Sequence, residues 1–152
     1  MTKVVVSGNH LPTMSDDEIA VARRLEEEVR QMPQIEMPTD HVLHGGMYAR
    51  TVMLPAGHVL VGVVVQVETI VIFNGVADVL TGPDVVRLEG YQVIPASAFR
   101  KQVYVAHEDC HITAVFATNA QSVTEAEDQA TNEASSLLSR RQGSENRITL
   151  LG

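Results

Sequence analysis

The sequence predicts a mainly β domain, a barrel or sandwich with one helix at each end. Three observations carry this. Residues 41–118 break into short runs rich in Val, Ile and Leu, separated at near-regular intervals by Gly, Pro, Asn and Asp. Residues 15–32 and 122–139 instead repeat apolar side chains at helical spacing. A chain of 152 residues, 45% hydrophobic and 20% charged, is long enough for one domain with its own core. With no Trp and only 3 Phe and 3 Tyr, that core must be built mainly from Val, Leu, Ile and Ala.

Residues 1–14 read as an N-terminal arm, with a β-prone Lys3–Ser7 followed by the turn signals Gly8, Asn9 and Pro12. The unit 15–33 is an amphipathic helix. Ser15 and Glu18 form a capping box that satisfies two orphan amides, and Pro33 ends the helix. Ile19, Ala22, Leu25, Val29 and Met32 share one stripe, which packs on the barrel of the same chain or on a neighbouring subunit. Residues 33–40, with two prolines, form a linker.

The barrel occupies 40–118. Candidate strands are Tyr48–Leu54, Val59–Val65, Thr69–Phe73, Val76–Leu80, Val85–Leu88, Gln92–Ile94, Lys101–Ala106 and His111–Ala117. Asn74-Gly75 between two apolar runs is the strongest hairpin signal. A second helix spans 122–141, with Ser122 and Glu125 repeating the capping pattern and small residues along its apolar stripe. The tail, 142–152, ends in an apolar pentapeptide suited to adding as a strand to an exposed edge.

Residues 47–118 carry a resemblance to the cupins, whose fold is a double-stranded β-helix, or jelly roll. The first cupin motif places a glycine, a His-x-His pair, a glutamate and a second glycine in order. Gly57, Glu68 and Gly75 stand at nearly the right places, with the family spacing between Glu68 and Gly75, but the histidine positions fall within 61–65, where there is no ligand type. In the second motif Gly90 and Pro95 remain, with Gly90 one residue too close to Pro95. Ser97 replaces a glycine, Arg100 stands at the histidine position and Tyr104 at the asparagine position. Three of the four usual metal ligands are therefore absent, and Glu68 alone does not hold a transition metal. The resemblance implies the fold, a cupin-like jelly roll flanked by an N-terminal and a C-terminal α-helix. It does not bring the family's metal chemistry or any cofactor with it.

A nearer likeness is to small cupin-like proteins of tailed bacteriophages and prophages. It runs through His44-Gly-Gly-Met-Tyr-Ala-Arg-Thr51, Leu54-Pro-Ala-Gly57 and Gly90 to Gln102. It implies a non-enzymatic structural or accessory protein whose jelly roll is an assembly module, as a virion decoration or a tail-associated component. The expected partners are further copies of the chain and other virion proteins. The expected location is the host cytoplasm during assembly and then the virion.

Two alternatives remain open. One is a small-anion or small-ligand binder using Arg100 and Glu68, oriented by Tyr48 or Tyr104. In it Arg100 faces the interior, and Glu68 is its natural partner if the pair is structural. The other is a metal-dependent enzyme with an atypical cluster of His44, His107 and His111. The plainer reading of those histidines is as strand and turn residues, because none has helical ligand spacing. Cys110 is a poor nucleophile beside Glu108 and Asp109, since nearby anions disfavour the thiolate.

The net charge of −8 excludes a general nucleic-acid binder. Arg140, Arg141 and Arg147 read as a solvated end or a protein contact. No apolar run is long enough to span a membrane, and the first residues lack the apolar stretch of a signal peptide.

Overall fold

Period-two alternation of apolar and polar residues folds the middle of the chain into a strongly curled sheet. The computed structural model describes Lys3 and residues 9–150. All of the expected Lys3–Ser7 strand except Lys3, and the last two residues of the terminal pentapeptide, lie outside the described residues. The helix α1 (Asp16–Arg30) is followed by β1 (Thr39–His44), β2 (Met47–Leu54), β3 (Val59–Val61), β4 (Thr69–Leu80), β5 (Val85–Ala96), β6 (Val103–Ala106) and β7 (Cys110–Ala117). Then come α2 (Val123–Ala130), two short 3-10 turns and β8 (Asn146–Leu150). Hydrogen bonding runs in the order β3-β6-β4-β7-β2-β1-β8, with β5 paired to β4.

The principal correction concerns Asn74-Gly75, which is not a hairpin turn. It lies inside β4, one strand of 12 residues that pairs along its whole length with β5. Before Gly75, β4 also pairs with β7; after it, with β6. Gly75 is the corner where the strand passes from one wall of the barrel to the other. Its φ is +145°, and a Cβ there would lie 2.8 Å from the Asp109 carbonyl and from Cys110. Only glycine admits that approach. The hairpin is closed instead at Thr81–Asp84, where the Thr81 amide donates to the Asp84 carbonyl at 3.0 Å. Val85–Leu88 and Gln92–Ile94 are likewise parts of one strand, β5.

Two further elements differ from expectation. The C-terminal helix ends at Ala130 rather than 141, because Thr131 turns extended (φ −157°, ψ 148°). The chain then continues through the 3-10 turns Ala134–Ser136 and Leu138–Arg140. The stretch expected to be linker already enters β1 at Thr39. A Gly45-Gly46 turn with both φ positive joins β1 to β2. The tail adds as a strand, as expected of an edge-seeking segment: β8 pairs in parallel with β1 of its own chain.

Inside the barrel Leu54, Val71, Phe73, Val79, Leu88 and Ile94 form the main core. Full burial of Phe73 contributes about 2–3 kcal/mol. A second cluster, Tyr48, Phe116, Leu43 and Ala126, closes the far end under α2. The capping box of Ser15 and Glu18 is formed. α1 packs on the same chain's β3 through Ala22, Ile19 and Leu25. Buried Lys101 pins the helix through Glu26 at 3.0 Å.

Candidate functional site: an arginine-bearing cavity in the barrel

The inner faces of the strands do not meet. They enclose a cavity of about 340 Å³, within the usual range for small-molecule sites. Val52, Leu54, Val71, Ile112 and Ala114 from the sheet form much of its wall, with Val63 and Val65 beyond the end of β3. The linker residues Met32, Ile35 and Met37 and, opposite them, Leu137 and Leu138 also line it.

Polar residues line it from several elements, among them Glu26, Arg30, Arg50, His58 and Arg141, and three more come from one buried segment. Arg100, Gln102 and Tyr104 alternate along the approach to β6 and into it. All three line the cavity and are buried, at 3%, 6% and 6% exposure. The backbone aims Arg100 inward. A bridge joins Val65 to Arg100, and Phe99 before it takes a left-handed φ of 61°, with its amide donating to the Val65 carbonyl at 2.7 Å. A non-glycine residue there carries strain of about 1–3 kcal/mol, which the surrounding hydrogen bonds hold in place.

Arg100 does not make the expected pair with Glu68. Its Nε donates to Gln102 Oε1 at 2.8 Å and its Nη1 to the Ser97 carbonyl at 2.7 Å. Glu68 is exposed on the loop before β4 and influences Arg100 only at a distance. Burial pulls the guanidinium below its ordinary range, opposed by the fields of Tyr104 and Glu68. Gln102 Nε2 is buried with no hydrogen-bond partner among the described residues. Burial pushes the Tyr104 phenol up to about 12, so it stays a neutral donor.

Tyr48, the other expected orienting residue, is not at this site. It points to the same side of β2 but lies in the far cluster. There its hydroxyl meets His41 Nδ1 at 2.6 Å and the rings stack. His41 Nε2 meets Asn146 Oδ1 at 2.7 Å, and Asn146 Nδ2 donates to the Ser139 carbonyl. That last bond fixes Oδ1 toward His41. The imidazole is therefore the neutral Nε2–H tautomer, accepting from Tyr48 at Nδ1. Burial lowers its pKa, partly offset by Asn146.

The histidines of the alternative metal site are kept apart. His44 pairs with Met47 at one end of the sheet, whereas His111 pairs with Met53 at the other. His107 is held by Asp78 at 2.8 Å on the surface. Among the described residues no group of three His, Cys, Asp or Glu side chains is placed to hold a metal ion. Where the cupin resemblance implies a metal, this interior presents valines and a guanidinium, a donor set that does not fit a divalent cation. Cys110 is buried against the Val76 and Glu108 carbonyls. Burial raises its pKa, the Val76 contact opposes this, and the charges of Asp109 and Glu108 add to the rise.

Sequence reasoning missed what carries the cavity mouth. Buried Glu127 on α2 accepts from Arg50 Nη1 at 3.0 Å, from Arg140 Nε at 3.1 Å and from Ser139. This clamp holds the 134–141 segment, with Leu137 and Leu138, against β2. Arg140 is thus an internal partner rather than a solvated tail residue, and Arg147 pairs with Asp40 across β8 and β1. Gln102 was also missed, although the alternation Arg100, Gln102, Tyr104 is a strand signal pointing all three to one face.

No family model and no curated protein matches the chain. Among solved structures it is similar to a conserved protein of unknown function from Streptococcus pyogenes, at 18% identity and a TM-score of 0.45 over 60% of this chain and 85% of that one. It is similar to a cupin 2 conserved barrel domain protein from Leptotrichia buccalis at 10% identity and a TM-score of 0.47, over 57% of this chain and 43% of that one. It is also similar to a salicylate 1,2-dioxygenase from Pseudaminobacter salicylatoxidans at 13% identity and a TM-score of 0.47, over 66% and 32%. The fold itself is a mainly β, curled sheet flanked by helices, as expected of a jelly roll.

Proposed function

We propose that this chain is a non-catalytic cupin-like protein that binds a small organic anion inside its barrel. The observation that carries the reading is Arg100, a buried cation that lines an apolar cavity and has no carboxylate partner among the described residues. Isolated buried charge is costly unless paired, and an anion entering the cavity supplies the missing partner. The test is calorimetric titration with a panel of small organic and inorganic anions. Saturable binding of one molecule per chain, lost in Arg100→Met, supports the reading. No saturable binding by any of them, under conditions where the protein is folded, overturns it.

A second reading, a phage-derived assembly module, is favoured by a different observation. The convex face of the sheet carries Val42, Met53, Ile70, Tyr91 and Val93, all at least 40% exposed. We propose that this face packs on another copy of the chain, since sheet faces of this kind stack well. Light scattering on the wild type and on Val93→Lys tests it. A stable oligomer dissociated by the substitution supports self-assembly, and a monomer at all concentrations refutes it.

A further inference from the structure

We infer that the ligand is an amphipathic monocarboxylate of about a dozen non-hydrogen atoms, bound with its carboxylate at Arg100 and its apolar body toward the linker. This rests on the reading of the barrel as an anion site and deepens it to a chemical class.

The charge and hydrogen-bonding state of the cavity select the head group. Of the arginines lining it, Arg30 is neutralised by Glu26 and Glu27, and Arg50 by Glu127. Arg141 is exposed at the rim beside Gln34. That leaves a single interior cation, which a monoanion balances and a dianion would overcompensate. Arg100 spends one Nε and one Nη1 hydrogen on Gln102 and Ser97. The remaining guanidinium hydrogens lie on Nη1 and Nη2, the end that receives a carboxylate in a two-pronged contact. Gln102, whose Oε1 holds the Arg100 Nε, carries a buried Nε2 without a partner among the described residues, and Tyr104, which also lines the cavity, keeps a neutral hydroxyl. These groups offer donors and lack an acceptor, which is the complement of a carboxylate.

The rest of the cavity selects the body. Its volume of about 340 Å³ corresponds to about eleven waters at roughly 30 Å³ each. Away from the Arg100 segment the wall is largely aliphatic: Val52, Leu54, Val63 and Ile112 deep inside, Ile35 and Met37 nearer the linker. A strongly hydrated anion such as phosphate would leave those walls uncovered, and a neutral lipid-like molecule would leave Arg100 unpaired.

The test uses the full chain and four probes: octanoate, 1-octanol, acetate and inorganic phosphate, each followed by calorimetry and thermal shift. The expected result is one octanoate per chain, with 1-octanol and acetate each at least about tenfold weaker and phosphate weaker still. Arg100→Met should bring octanoate down to the level of octanol. Gln102→Leu should weaken octanoate several-fold while leaving octanol unchanged, and it serves if the Arg100 variant does not fold. Octanol binding as tightly as octanoate would sink the carboxylate assignment while leaving a ligand cavity. Phosphate or acetate binding without octanoate would sink the apolar body while leaving an anion site. No binding by any probe would sink both this inference and the reading beneath it.

Discussion

Replacing Glu127 with alanine removes the carboxylate that joins α2, β2 and the 134–141 segment. Glu127 is 3% exposed, and the arginines bound to it are 18% exposed (Arg50) and 26% exposed (Arg140). Breaking a buried ion pair from one side costs about 3–5 kcal/mol, because the surviving charge stays buried. Here Arg140 keeps Asp128 at 2.9 Å and the Thr124 carbonyl, so the orphan is mainly Arg50. Arg50 keeps some water contact, which places the expected loss at about 2–4 kcal/mol. For a chain of this length that lowers Tm by about 2–4 °C per kcal/mol, or roughly 4–16 °C. Urea denaturation at pH 7 measures the loss directly, with the m-value checking that the transition stays cooperative. Removing both charges in Arg50→Met/Glu127→Met should recover most of it, since no unpaired charge is left. A loss under about 1 kcal/mol for Glu127→Ala would refute the argument that this clamp holds the cavity mouth.

Other outcomes follow from the same physical reasoning. Gly75→Ala should cost several kcal/mol in urea denaturation, because the added Cβ meets the Asp109 carbonyl and Cys110 at 2.8 Å. Gly57→Ala has a positive φ of +80° but open space around it, and should cost only about 1 kcal/mol. The His41 pKa is depressed by burial, so its contribution to stability is complete above the unfolded value of about 6.5. It is lost as pH falls through the folded value, where the unfolded chain takes up the proton first. Stability measured from pH 7.5 to 5 should therefore decline, and His41→Gln should flatten the decline; an unchanged slope would exclude His41 as its source. Arg100→Met should leave ligand-free stability within about 1 kcal/mol of wild type, because the substitution removes a desolvated cation that lacks a carboxylate partner. A loss above about 3 kcal/mol would make Arg100 a structural residue.

The jelly roll was legible because its signal is local: alternating apolar runs, turn residues, and serine caps at both helices, each visible within about a dozen residues. The misreadings have one physical origin, that a dipeptide does not know its tertiary neighbours. Asn74-Gly75 carries the composition of a tight turn, but the glycine is required by Cys110 and Asp109, 34 and more residues later. The second helix was drawn too long because its apolar repeat continues past Ala130, whereas the extended Thr131 and the Glu127 clamp bend the chain back over the barrel. Arg100 and Tyr104, named from motif positions, both line the cavity. Tyr48 was not separable from them, because strand parity says which face a residue shares and not which end of the barrel it occupies; Glu68 holds a motif position but lies exposed on the loop before β4. Gln102, the group that takes the place of Glu68 beside Arg100, belongs to no motif and shows in the sequence only through its alternation with Arg100 and Tyr104.

The most direct test of the central claim is a crystal structure of the protein grown with saturating octanoate. One octanoate is expected inside the barrel, its carboxylate within hydrogen-bonding distance of Arg100 Nη1 and Nη2 and its chain running past Val63 toward Ile35 and Met37. Octanoate found only on the convex face, or a barrel interior that stays free of it at saturation, would contradict the assignment of Arg100 as the anchor of a ligand site.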